Sequence, residues 1–224
     1  MMKEMCELLI KKGELKENIF DETHKTFSLF KKSAESFESY YKSNFYNEHK
    51  KVEVEYRNIS PHEFQLRFAG DVLIFMMHSN IFEFPRNHEV MSSKYIAADN
   101  DRSYCGQIQI FNFLADSFKY NRINDLGYMI GRILINKEGH YYVEGKRELA
   151  QVLNNFSLNK ISDDTAKEIV NSAIKYAINF DLLLPNYAAF KEISVNDMIN
   201  IQNSTFTLAT AKRLGFRFER DEEK

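Results

Sequence analysis

The chain has 224 residues, 44% of them hydrophobic and 28% charged, which supplies enough apolar side chain for a full core and excludes a disordered chain. Thirty basic and 32 acidic residues leave a formal net charge of −2, so no global field favours nucleic acid or an anionic membrane as partner. Two cysteines, Cys6 and Cys105, in a chain this large read as free thiols in a reducing, cytoplasmic compartment rather than as a secreted disulfide framework.

The opening run Met1–Lys12 has an apolar stretch of only three residues, too short for a signal-peptide core. The longest charge-free runs, Val72–Phe82 and Ser103–Ala115, fall below the roughly 20 residues that a membrane helix needs. With no internal repeat and no biased tract, one α+β domain over 1–224 is expected. Its parts are a helical region at 1–49, an antiparallel meander at 50–146, a helical region at 147–204 and an extended tail at 205–224.

From Phe20 to Phe45, apolar side chains recur every three, four or seven residues: Phe20, Phe27, Phe30, Ala34, Phe37, Tyr41 and Phe45. The spacing predicts one amphipathic helix of about seven turns with an aromatic stripe, capped by Asp21 or Thr23. Such a stripe reads first as core and second as the seam of a homodimer. The period then falls to two at Val52, Val54 and Tyr56, and again at Phe64, Leu66 and Phe68, giving strands with one wet face around a Ser60-Pro61 turn. Further strands are expected at Val72–Met77, Ile81–Phe84, Lys94–Ala98, Tyr104–Phe113 and Leu126–Ile135. Short turns between them imply a curved antiparallel sheet of about seven strands beneath the long helix.

Beyond the sheet, Arg147–Phe156 is a short helix candidate. Ser162-Asp-Asp introduces a stronger one, with Ala166, Ile169, Val170, Ala173, Ile174 and Ala177 on its inner stripe. Ser194-Val-Asn-Asp caps one more short helix, and Thr205–Phe218 reads as a strand or extended tail.

Glu144-Gly-Lys146 at a strand end is the triplet that a metal-dependent nuclease would use, with Asp125 as its second carboxylate. The turn chemistry argues against it. Asn136-Lys-Glu-Gly139 suits a type I turn closed by a left-handed glycine, a register that sets Ile135 opposite Tyr141, Ile133 opposite Val143 and Arg132 opposite Glu144. Asp125 then lies seven residues beyond Arg132, roughly 23 Å away at about 3.3 Å per residue. Glu144 and Arg132 are therefore expected to form a cross-strand ion pair.

The other constellations read as structure. Asp99-Asn-Asp101 is an Asx-type turn, and His78, Glu83, His88 and Glu89 lack ligand spacing. Cys105 sits in an apolar strand, a setting for an inert thiol. Gly127 and Gly131, read on a strand face shared with Ile133, are expected to let the aromatic helix approach the sheet closely or to leave room for a ligand.

The densest polar stretch is Asp116-Ser-Phe-Lys-Tyr-Asn-Arg122, between two apolar strands. It suits an anion-recognising loop in which Lys119 and Arg122 carry charge and Tyr120 stacks, with Asp116, Asp125 and Arg132 completing the site. The expected function is a non-catalytic binding or regulatory protein that meets a small anionic ligand or a protein partner through residues 116–132, without a cofactor. The alternatives are a metal-dependent hydrolase or nuclease built on Glu144, Lys146 and a distant acid, and an oligomeric subunit docking through the aromatic helix.

Overall fold

The computed structural model describes residues 1–123, 125–152 and 155–181, together with 187, 192 and 194–196. Helix α1 runs over Met2–Asn44, about 65 Å at ~1.5 Å per residue. Six strands follow in a path of nearest neighbours: β1 (Val54–Ser60), β2 (Glu63–Phe68), β3 (Asp71–Met77), β5 (Tyr104–Leu114), β6 (Tyr128–Asn136) and β7 (Tyr141–Gly145). The two-residue β4 (Phe82–Glu83) pairs with β5, and every pairing is antiparallel. Helix α4 (Asp163–Ile178) shares the main core with α1. The chain is thus an α+β fold with a seven-stranded open antiparallel sheet.

Alternation decides what each strand buries. In β2 and β3 the side chains of Phe64, Leu66, Leu73 and Phe75 point to the helices and are fully buried. Phe27 and Phe30 of α1 descend onto them, with Phe27–Phe64 ring centroids 5.4 Å apart and Phe64 stacked on Phe75 at 4.5 Å. Each such ring contributes about 1.5–3 kcal/mol by leaving water, and offset rings add more. The middle of the aromatic stripe is therefore core; Phe20, Phe37 and Tyr41 pack partly buried against it, and Phe45, past the end of the helix, is exposed.

The closest approach of α1 to the sheet is at Gly106 of β5, where an added Cβ would stand 2.0 Å from Thr23 Oγ1. That hydroxyl is itself committed to Ile19 O at 2.7 Å. Lys31 Nζ anchors the next turns of α1 by bonding Asn58 Oδ1 and the carbonyl of Ser60, at 2.8 and 2.7 Å.

The outer face of β5–β7 is covered by the excursion between β3 and β5. Its short helix α2 (Lys94–Ala98) follows a 3-10 turn over Glu89–Ser92. Phe84, Val90, Ile96, Cys105, Leu134 and Phe156 form a second, smaller core there. A polar network locks this flap to the β6–β7 turn: Tyr95 Oη and Arg102 Nε donate to the two oxygens of Glu138, each at 2.8 Å, and Lys137 meets Asp99 at 2.6 Å.

The hairpin register agrees with expectation residue for residue, and Gly139 takes the left-handed conformation at φ 74°. Ser162 caps α4 by accepting from Thr165 N–H. Several elements differ. Helix α1 begins near Met2 rather than at Asp21 or Thr23, because the Lys- and Glu-rich turns before Phe20 favour helix and Leu15 and Ile19 already join the buried face. Lys94–Ala98 is helix, not strand, since Ser93 Oγ caps it and two alanines continue it. Only Phe82–Glu83 of the expected Ile81–Phe84 strand is paired, and the described residues of the expected helix Arg147–Phe156 hold a 3-10 turn over Arg147–Gln151. The short helix expected after Ser194 (apart from 194–196) and the tail over 205–218 lie outside the described residues.

Candidate functional site

At the end of the sheet formed by the α1–β1 connection, the β2–β3 turn and α3 (Ala115–Lys119) lies a recess of about 560 Å³. Strand alternation turns Glu55, Arg57 and Arg67 to the outer face, and register sets Glu55 opposite Arg67. Arg57 is paired with Glu55 at 2.8 Å. Lys51, Arg67 and Lys119 reach the same recess from three separate elements, with no ion pair among the described residues, while Glu53 and Asp116 supply carboxylates. The β2–β3 turn approaches through Ala69 and Gly70, both at positive φ (47° and 91°). Ala115 N–H donates to Gly70 O at 2.7 Å and fixes the start of α3 against that turn.

A second cavity of about 200 Å³ opens on the outer face beside the flap. Phe82, Phe84, Pro85 and Leu134 form its walls, and Gln107, Arg132, His88 and Glu144 its polar side. Arg132 Nε donates to Glu144 Oε2, the cross-strand pair that the hairpin register implies. His88 Nδ1 accepts the Val90 amide at 3.3 Å, which leaves Nε2 toward Glu144 Oε1 at 3.7 Å. Next to it, Tyr142 donates to Glu89 at 2.5 Å; burial first, and then the Glu89 carboxylate, push the Tyr142 hydroxyl up to about 12.

The six residues singled out in sequence do not share one mouth. Asp116 and Lys119 line the end recess, whereas Arg132 lines the outer cavity. Tyr120 stands between its neighbours, with Lys119 Nζ 5.0 Å and Arg122 Cζ 5.4 Å from its ring centroid. Asp125 faces inward: Ser117 Oγ donates to one carboxylate oxygen at 2.7 Å, and the other is buried without a hydrogen bond. It ties the loop closed. The polar stretch is itself a short helix because Ala115 and Ser117 bury beneath it.

Other expectations resolve as structure. Asp99 Oδ1 accepts from Asp101 N–H as an Asx turn does, and His78 and His88 each accept a backbone amide two residues on. Among the described residues, no group of three or more His, Cys, Asp or Glu side chains is arranged to hold a metal ion. Cys105 is buried, which raises its thiol well above the ordinary range, while Cys6 is an exposed free thiol. Gly131 is approached by Leu149, and Gly127 by the ring of Phe113. The glycine that admits α1 is Gly106, which carried no sequence cue beyond its place in an apolar strand.

Sequence reading missed Lys51, Arg57, Arg67 and Gln107, and weighed His88 only as a metal ligand. The alternation Glu55, Arg57 and Gln65, Arg67 marked a wet face, yet nothing local says that two charged strand positions and a distant loop meet. No described helix is long and apolar enough to cross a membrane. No family model, curated protein or solved structure matches the chain.

Proposed function

We propose that the chain is a non-catalytic binding protein that takes a small, multiply charged anion in the end recess. The observation that carries this reading is the delivery of Lys51, Arg67 and Lys119 from three separate elements to one concavity of about 560 Å³. A space of that size matches a small-molecule site. Cations held apart on a strand (Arg67), a short helix (Lys119) and the α1–β1 connection (Lys51) can bind the oxygens of a phosphate or carboxylate together. Asp116 and Glu53 would accept from hydroxyl or amine groups on the same ligand.

Titration calorimetry with pyrophosphate and with citrate tests the reading. Saturable binding that weakens with salt and is lost in Arg67→Ala and Lys119→Ala is expected, with Asp116→Asn binding either anion more tightly. Heat that is absent, or unaffected by those substitutions, would end the proposal.

A second reading, a subunit that docks through α1, draws on a different observation. Met2, Met5, Leu8, Leu9 and Ile10 are 54–78% exposed, whereas Phe27 and Phe30 of the aromatic stripe are in the core. Sedimentation over a hundredfold range of concentration checks it; an unchanging monomer removes self-association.

A further inference from the structure

The outer cavity has one feature that packing does not explain. Gln107 lies mid-strand in β5 and is only 6% exposed, yet among the described residues its side-chain amide makes no hydrogen bond and the residue lines the cavity. Its backbone carbonyl is already committed to His78 N–H at 2.8 Å. Leu or Val would fill such a strand position by packing alone, whereas the Gln107 amide keeps its donors and acceptor open to the cavity. The amide lines the cavity, so a molecule entering the cavity can supply its missing partners.

The surroundings restrict which molecule. Arg132 is neutralised by Glu144, and Glu83 is held by Arg86 at 3.3 Å, so no cation is left over for a carboxylate or phosphate. Phe82, Phe84 and Leu134 offer flat apolar walls. About 200 Å³ holds one small ring, below the range of drug-sized ligands.

We propose that this cavity is a second ligand site, separate from the end recess, for a small neutral planar molecule with an amide edge: a ring carboxamide or a ring lactam. The amide edge of the ligand donates to the Gln107 side-chain oxygen and accepts from its nitrogen, a reciprocal pair that an ionised acid cannot make. The Arg132 guanidinium, with Nε given to Glu144, presents its Nη edge to the ligand carbonyl. Phe82, 39% exposed, stands at the mouth and covers one face of the ring.

NMR titration of the labelled full chain tests this with three probes: nicotinamide, uracil and nicotinate, the last having the ring of nicotinamide but a carboxylate in place of the amide. Nicotinamide or uracil should shift the Gln107 side-chain NH₂ and a Leu134 methyl saturably, and nicotinate should bind about tenfold more weakly or not at all. Gln107→Leu should abolish the response with the remaining spectrum unchanged. Phe82→Ala, at a part-exposed position that leaves both cores intact, should weaken binding on the same order. Absence of shifts with both neutral probes overturns the proposal. So does equal binding of nicotinate, or neutral-probe binding that survives both substitutions.

Discussion

Gly106 shows how one residue sets the distance between two layers. Its missing side chain lets Thr23 of α1 sit directly on β5, where any Cβ would meet the threonine hydroxyl at 2.0 Å. Thr23 is fully buried and its hydroxyl is bonded within the helix, so it has no room to turn away. Gly106→Ala should therefore destabilise the fold by about 1–3 kcal/mol, the usual range for overpacking, and Thr23→Gly should recover part of the loss in the double variant. Denaturant unfolding measures both; additive losses would mean that the contact is not the cause. The two thiols differ as sharply. Cys6 should react with a thiol reagent at once, and Cys105 only on unfolding, since burial disfavours its thiolate. Two fast equivalents in the native protein would contradict the buried assignment.

At the scale of elements, the flap that covers the outer sheet face is held by charge as well as by apolar contact. Lys137 holds the Asp99 carboxyl below the usual range, against an opposing effect of burial. For Glu138, burial raises the value, but the hydrogen bonds from Arg102 and Tyr95 outweigh it and the net shift is downward. A carboxylate depressed in the folded state stabilises above its unfolded pKa. That stability is lost as pH falls through the folded value, because the unfolded chain takes up the proton first. Thermal stability should thus decline as pH drops from roughly 5 toward 3. An Asp99→Asn, Glu138→Gln variant should start lower at neutral pH and decline less; parallel pH profiles would refute the linkage. The same network accounts for one misread element. The run Lys94–Ala98 reads as strand-like in the sequence, but the flap needs a short turn of helix to put Ile96 into the second core and Tyr95 over Glu138.

For the whole molecule, α1 has two unequal parts. Its middle turns supply Phe27 and Phe30 to the core, both fully buried, while residues 1–10 project beyond the sheet with exposed side chains. Phe30→Ala should cost about 3–5 kcal/mol, whereas deleting residues 1–10 should change stability by less than about 1 kcal/mol. Calorimetric melting compares the two, and a large loss from the deletion would show that the projecting turns pack against something. The functional reading divides in the same way. The polar stretch 116–132 was legible as a concentration of donors and acceptors, but its members go to an end recess, an outer cavity and a closing tether at Asp125.

What the amino-acid sequence determined by itself was local: the period-two strands, the Asn136–Gly139 turn and the register it imposes, the Ser162 cap and the inner stripe of α4. These follow from rules acting over a few residues, where side-chain alternation and turn chemistry leave one choice. Only the tertiary structure decided which face each charged strand position shares with distant loops. It brought Arg67 beside Lys119, and it left the Gln107 amide without a partner in a cavity walled by the flap. Convergence of that kind depends on strand order and on where a connection crosses the sheet, and neither is encoded in the spacing of neighbouring residues.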